Sequence, residues 1–526
     1  MKMDVSDEQR FIAEIDAFEF GERNVGDVLE ALEVWLDNLR GSLQSHRFCT
    51  DGLHGHSTLA REAVGIDAVL HTHARACAQP WASLEAVQFL SDLFDQRVML
   101  LVFGKFNAGK SAFCNFIAGR FVAQGKTVRY FHVEAGRVVE TSAAFEEGAT
   151  ETTARLQGVC LGDKLVLIDT PGLHSVVPEN AALTQRFIES ADGVIWLTSS
   201  TSPGQVQELD DLSRELHRNK PLLPVVTRSD EYEEDEVDGE FVRRLCNKSE
   251  ARRALQEADV QTRAQQKLAA MGVTGALLKP PVSVSVHMAR VKGATPPGMR
   301  EAGFERLFTA LLEISGPALD YKRRKRAEIA LHHLEENVLD TLHASVFPLL
   351  AKTRASAQHT VNKIEAQQTL LIDAICQRVL AVLPEILDSH ASERDVTGVT
   401  RAVTGAIDEA FPCCVREFFS DYDVSHEKGL TVLDLDVSAG FEDIAIEMGD
   451  SETCAREVVG VGYRRLHGAL KQAVHAAVRK LSREVASQAR ASINQLIVQA
   501  DQLHDTLIQP KAQLTELKIQ IRTRVM

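Results

Sequence analysis

Apolar residues recur at three- and four-residue steps early in the chain, through Val28, Leu29, Leu32, Trp35, Leu36, Leu39 and Leu43. That spacing sets them on one helical face and predicts helices over about residues 7–47, with a partner for the stripe. A second helical stretch covers roughly 59–96. The texture then changes. From 97 to about 316, short apolar runs (VMLLVFG, TVRYFHVEAG, LVLIDT, GVIWLTS, LLPVVTR, VSVSV) alternate with helical segments. Continuous apolar runs suit strands covered on both faces, so this part is expected to form a mostly parallel α/β sheet. Beyond Ser315-Gly316-Pro317 the helical spacing returns in Leu331, Leu334, Val338 and Leu342, in Leu371, Ile375, Val379, Val382 and Ile386, and in Leu496, Ala500, Leu503 and Leu507. Pro348, Pro384 and Pro510 are expected to kink or end these helices. Residues 420–453 break the periodicity and read as a loop or small irregular tip. Three segments result: 1–96, 97–316 and 317–526.

Composition narrows the class. A chain of 526 residues, 44% hydrophobic and 25% charged, can bury more than one core. A formal charge of -16 argues against a general nucleic-acid binder, since the phosphate backbone would repel it. The nine cysteines are scattered and lack CxxC spacing, which fits a reducing compartment. The acidic start MKMDVSDEQR has no signal pattern, and no apolar run approaches the ~18–20 residues of a membrane span. The expectation is a cytoplasmic protein, with peripheral contact on the inner membrane left open. Residues 1–52 carry twelve acidic against five basic residues, and 455–526 carry twelve basic against five acidic. The two ends are therefore expected to pair in one helical bundle, against the plainer reading of unrelated solvated faces. His54, His56, His71, His73 and Cys77 lack a second pair to close a tetrahedral zinc site.

The chemistry concentrates in the middle segment. Gly104-x-x-x-x-Gly109-Lys110-Ser111 follows an apolar run and opens a helix, the context that gives this motif meaning. Backbone amides across Gly104 and Asn107, Ala108, Gly109, Lys110, Ser111 and Ala112 are expected to cradle phosphates. Lys110 would reach the terminal phosphates, and the Ser111 hydroxyl would bind Mg²⁺. Asp169-Thr-Pro-Gly172 ends another apolar run; Asp169 would hold Mg²⁺ through a water, and the Gly172 amide would sense a γ-phosphate. Thr227-Arg228-Ser229-Asp230 is similar to the guanine motif [NT]KxD, in which the carboxylate accepts from guanine N1–H and N2–H. Arg228 stands at the lysine position, where its flat guanidinium can cover the base. Thr153 in Glu151-Thr-Thr-Ala154 is the expected Mg²⁺ ligand and carbonyl donor, with Thr152 open as the alternative. Ser285 and Ser283 can lie over the guanine, although serines in a strand read equally well there. Leu173 stands where a catalytic glutamine is expected. The attacking water must then be oriented by a backbone carbonyl, by Asn107 or by a second molecule; His174 is better read as a surface histidine.

GKFNAGKSAF, ETTA, DTPG and TRSD, set between long helical flanks, resemble the motifs and layout of the bacterial dynamin-like GTPases. The resemblance implies an α/β P-loop GTPase domain over 97–316. It also implies a helical neck and trunk bundle built from 1–96 and 317–526, with an irregular tip near 420–453. GTP/GDP and Mg²⁺ are the implied cofactors, and the implied partners are a second GTPase head, dynamin-like proteins and an anionic membrane. The implied activity is GTP hydrolysis coupled to assembly and membrane or vesicle remodelling. Two rivals stand beside it: a switch-type GTPase that recruits a protein or ribosomal partner, and a nucleotide-binding scaffold with little hydrolysis. Phe106 and Asn107 occupy the places where eukaryotic dynamins carry Gln and Ser, so that water-positioning scheme does not transfer. The face of Ile407, Ala410, Phe411, Cys414, Val415 and Phe418 reads as core rather than lipid anchor. Lys322-Arg-Arg-Lys-Arg326 reads as a solvated helix face, and the acidic run from Glu231 to Glu240 as a solvated loop.

Overall fold

The computed structural model describes the chain except for residues 1–5, 21–25, 78–93, 106, 135–136, 149–155, 170–187, 202–204, 238–239, 425–432, 436–438, 449–454 and 524–526. Two compact units divide it: residues 1–34, 79–335 and 514–526 form one, and residues 35–78 and 336–513 the other.

The first unit is built on a mostly parallel sheet of eight strands. These are β1 Val98–Phe103, β2 Val128–Glu134, β3 Arg137–Thr141, β4 Gln157–Leu161, β5 Leu165–Asp169, β6 Gly193–Ser199, β7 Leu222–Thr227 and, after a separate hairpin of β8 Asp230–Val237 and β9 Glu240–Asn247, β10 Val282–Ser283. Their order is β10-β7-β6-β1-β5-β4-β2-β3. Strands β5, β1, β6, β7 and β10 run parallel, and β4, β2 and β3 add antiparallel pairs at one edge. All six residues of β1 are buried, as a central strand covered on both faces requires. From β1 the chain goes on to build the β5 side, and the strands after it fall on the β6 side. The carboxyl end of β1 is thus the switch point where ligands bind in open α/β sheets.

Helices cover the sheet. Helix α1, Asp7–Asp16, begins with a capping box between Ser6 and Gln9 and buries Phe11, Ile12 and Ile15. Phe11 packs against Phe121 and Phe308, each ring pair centred about 6 Å apart. Phe308 belongs to a helix Phe304–His333 that runs through Pro317, so no chain break falls at 315–317.

The second unit is helical. The helix Gly26–Ser45 enters this unit at Trp35; of its stripe, Trp35, Leu36, Leu39 and Leu43 are buried here, and Val28 and Leu32 are buried in the part that belongs to the first unit. Within this unit Trp35 Nε1 donates to Pro510 O (3.1 Å), and the Cys49 amide donates to Gln499 Oε1 (2.8 Å). Early residues therefore do lie against the last helix, Arg464–Thr523. The ion pairs of that helix here run to Glu365 from Arg490 (3.5 Å) and to Arg354 from Asp501. Pro348 and Pro384 sit inside one helix, Asp340–Ala391, and Pro510 inside Arg464–Thr523, so of the two expectations, a kink or an end, these prolines do not end their helices. A proline removes one N–H donor, and the packed apolar faces carry the helix across it. Ile407, Phe411 and Cys414 are buried in the helix Val396–Phe418, as a core face should be. The stretch expected to be irregular contains a strand: β11 Glu442–Met448 pairs antiparallel with β12 Ala455–Gly462, with a bulge at Ile444/Ala445.

Candidate functional site

The parallel strands bring the turn after β1, Asp169 at the end of β5 and residues 227–230 at the end of β7 to one edge. Residue Val102 of β1 lies opposite Asp169 of β5, and Ser199 of β6 lies opposite Thr227 of β7. The turn after β1 needs its glycines: Gly104 has φ +151°, and a Cβ there would lie 2.2 Å from the Leu197 carbonyl oxygen. Gly109, at φ +84°, enters the helix Lys110–Ala123 with no side-chain cap, so the first-turn amides are left for an anion. Asn107 also takes a left-handed conformation, at φ 62°.

Lys110 is 8% exposed, and its Nζ donates to the carbonyls of Gly104 (2.8 Å) and Lys105 (3.0 Å). Burial lowers its pKa, while the charges of Asp169 and Glu208 oppose that shift. Its ammonium therefore rests on two backbone dipoles, from which it can extend to a phosphate.

Ser111 Oγ donates to Asp169 Oδ2 (2.8 Å), and Gln157 Nε2 donates to the same oxygen (2.9 Å). Asp169 is fully buried, and its Oδ1 has no hydrogen-bond partner among the described residues. Burial raises its pKa, with the Gln157 and Ser111 hydrogen bonds working against that rise. A buried carboxylate oxygen without a donor, beside a hydroxyl, is a costly arrangement in a protein alone. It fits a hard divalent cation, which takes oxygen ligands of this kind.

The Thr227-Arg228-Ser229-Asp230 stretch lies at the end of β7. Thr227 Oγ1 donates to Ala108 O (2.7 Å), tying it to the phosphate loop. Arg228 is exposed at φ 53°, and its carbonyl accepts from Ser200 Oγ. Asp230 opens β8, and its Oδ2 accepts from Ser285 Oγ. Ser285 also caps the helix Val286–Val291 by accepting from the Met288 amide (3.1 Å). Ser283 is buried, and its Oγ has no hydrogen-bond partner among the described residues.

Gly104, Asn107, Ala108, Gly109, Lys110, Ser111, Ala112, Asp169, Thr227, Arg228, Asp230 and Ser285 thus all sit at the carboxyl edge of the strands. Phe106, Thr152, Thr153, Gly172, Leu173 and His174 lie outside the described residues. Two charged runs differ from expectation. The acidic run is no loop: β8 pairs with β9 along its whole length, and Glu234 meets Arg243 across the strands (3.0 Å). Nor is the basic run a solvated face. Lys325 is 1% exposed and pairs with Asp192 (2.8 Å), Arg324 pairs with Glu328 (3.3 Å), and Lys322 Nζ donates to Phe94 O (2.9 Å). Two supporting residues escaped the sequence reading. Gln157 orients Asp169, and Glu208 accepts from the Lys105 amide (3.1 Å). Neither belongs to a motif, and only the fold brings them in.

A model described as the dynamin family matches residues 140–229. An uncharacterized protein of Acinetobacter baylyi (strain ATCC 33305 / BD413 / ADP1) is 42% identical over 500 residues, 94% of this chain and 96% of that protein. Among solved structures, the LeoA bacterial dynamin GTPase from ETEC is 11% identical, covers 99% of this chain and 100% of its own, and gives a TM-score of 0.30. A member of an oligomerised bacterial dynamin pair, described as sensing and tethering membranes at long range, is 12% identical, with coverages of 94% and 98% and a TM-score of 0.35.

Proposed function

The chain belongs to the dynamin family of GTPases, and from that premise we propose that it hydrolyses GTP to GDP with Mg²⁺ and couples the cycle to assembly and membrane remodelling. The observation that carries the reading is the meeting of Lys110, Ser111, Asp169 and the Asp230–Ser285 pair at one sheet edge. Lys110 neutralises the terminal phosphates, and the amides of Asn107 to Ala112 wrap them. Ser111, Asp169 and Thr153 would hold Mg²⁺, Asp169 through a water, and the ion would supply neutralisation of the phosphate charge. Gly172 senses the γ-phosphate. Asp230, braced by Ser285, reads the guanine edge, with Thr227 anchoring the loop and Arg228 covering the ring. Asn107 or a residue from a second head orients the water. The GTPase domain corresponds to 97–316, and the segments 1–96 and 317–526 form the neck and trunk.

Membrane contact is assigned to the β11–β12 hairpin. Ile444, Val458 and Val459 are 52%, 54% and 59% exposed, and the register places Ile444 and Val458 on opposite faces. Glu442 and Asp443 beside Ile444 are paired with Arg465 (3.0 Å) and Arg394, so these pairs offer anionic lipid no net positive charge and insertion would be apolar. No helix among the described residues is long and apolar enough to cross a membrane.

Co-sedimentation with neutral and anionic liposomes, in GTP, GDP or a non-hydrolysable analogue, tests the reading. Pelleting that depends on triphosphate and is lost in Ile444→Glu/Val458→Glu is expected, with turnover per molecule rising with protein concentration. Concentration-independent turnover with no lipid binding would leave the switch-type reading. Absence of single-turnover hydrolysis even in an assembled state would leave the scaffold, which Phe106 and Leu173 favour.

A further inference from the structure

Glu208 lies in a short 3-10 helix, Val206–Leu212, and is 8% exposed. Its Oε2 accepts two N–H groups: the backbone amide of Lys105 (3.1 Å) and the indole of Trp196 (3.3 Å), whose ring is fully buried in β6. The Lys105 residue is then held through both its amide and its carbonyl. Its carbonyl accepts from the Ala108 amide (3.1 Å) and from Lys110 Nζ (3.0 Å). At the preceding Gly104 a Cβ would lie 2.2 Å from the Leu197 carbonyl oxygen of β6, so the loop passes that strand at a distance that admits no side chain. The Lys105 side chain reaches Gln205, so main chain and side chain are both tied to the segment that carries Glu208.

A carboxylate beneath a phosphate loop needs a reason. A neutral acceptor could hold the same two N–H groups, whereas a negative charge there repels the nucleotide, and a triphosphate more than a diphosphate. Hydrogen bonding and charge therefore act on nucleotide binding with opposite signs.

We propose that Glu208 is a positioning residue of the phosphate loop: its hydrogen bonds set the Gly104–Lys105 peptide on which Lys110 rests, and its charge weakens triphosphate relative to diphosphate binding. This rests on the reading of the loop as a GTP site.

The test uses the full chain with Glu208→Gln, which keeps an acceptor oxygen and removes the charge, and Glu208→Ala, which removes both. The readouts are affinities for GDP and for a non-hydrolysable GTP analogue, single-turnover hydrolysis and thermal unfolding. Glu208→Ala is expected to bind the analogue about 10-fold more weakly and to turn over about 10-fold more slowly, because two buried donors lose their partner. Glu208→Gln is expected to retain turnover and to favour the analogue over GDP by a further ~3-fold or more. A Glu208→Gln that loses analogue binding overturns the proposal, even if Glu208→Ala fails to fold; so does a folded Glu208→Ala that binds and hydrolyses like wild type. If the wild-type chain bound no guanine nucleotide, the GTP-site reading and this proposal would fall together. Normal wild-type binding with two indistinguishable variants removes this proposal alone.

Discussion

The two ends of the central sheet both bury charge, and they handle it in opposite ways. At the amino end, Lys325 pairs with Asp192, whose other oxygen accepts the Met99 amide (2.8 Å). Lys220 meets Glu215 and the carbonyls of Ile188 (3.0 Å) and Glu189 (2.9 Å). Glu328 takes both Arg324 (3.3 Å) and Arg522 (2.9 Å), and Lys220 and Arg324 lie over the ring of Tyr321. At the carboxyl end Lys110 meets only backbone carbonyls among the hydrogen bonds described, and Asp169 Oδ1 meets no donor. Charges closed by the protein hold the fold together. Charges left incomplete by it wait for a ligand.

The sharpest break in that comparison is Lys110→Ala. It should lower single-turnover GTP hydrolysis by about 10³-fold or more, some 4 kcal/mol in the barrier. Unfolding free energy should change by no more than about 1 kcal/mol, since the Lys110 ammonium hydrogen-bonds only to two backbone carbonyls among the described residues, and Asp169 and Glu208 keep their own hydrogen bonds without it. A large stability loss in urea unfolding would place Lys110 with the structural charges instead.

Lys325→Met should do the reverse. It strands the buried Asp192 carboxylate, at a cost of about 3 kcal/mol in stability, while GDP affinity in the folded protein stays within about 2-fold. Adding Asp192→Asn should recover much of the loss, because the amide oxygen can still accept from Met99. Urea unfolding and calorimetric binding read the two quantities separately. Loss of nucleotide affinity without loss of stability would erase the division between the ends.

The pH dependence should also carry opposite signs. Burial pushes His332 down to about 3 beside Glu328, so at mildly acidic pH the unfolded chain protonates this histidine and the folded chain does not. Stability then falls as pH drops below about 6.5, by about 2 kcal/mol at pH 5. His332→Gln should flatten that limb of a urea-unfolding series. Asp169 is shifted upward by burial, so its contribution runs the other way: the folded state holds the proton longer, and stability falls as pH rises past the ordinary carboxylate value. Saturating Mg²⁺ should remove the Asp169 contribution and leave that of His332 untouched.

Legibility in the sequence divides along the same line. Runs such as VMLLVFG and LLPVVTR read as strands because their apolar content is local, and the ligand motifs read because their spacing is local too. Strand β8 did not read as one. Its sequence DEYEEDEV offers no apolar face, and what holds it is pairing with the arginine-bearing strand β9. Strand β4 was hidden by brevity and by Gly158, a position where a Cβ would lie 2.3 Å from the Phe131 ring. The basic run at Lys322 looked solvated because its partners Asp192 and Phe94 are more than a hundred residues away, and no helical periodicity announces them. Glu208 stayed hidden for the same reason. A residue whose role is fixed by distant partners carries no local signature.

Ser285 tests where the two kinds of charge meet, and its effect should be the smallest. Its hydroxyl donates to Asp230 Oδ2 and accepts from the Met288 amide, so it serves the carboxylate proposed to read guanine and a helix end at once. Ser285→Ala should cost about 1 kcal/mol of stability through the lost cap. It should also weaken GDP by about 5-fold, as the carboxylate loses the donor that orients it. The discriminating ligand is IDP, which lacks the guanine N2 amino group: if Ser285 orients Asp230 toward both guanine donors, the GDP preference over IDP must shrink in the variant. A stability loss with that preference intact would make Ser285 a helix cap alone. The orientation of Asp230 would then have to come from the β8–β9 register, in which it lies opposite Asn247.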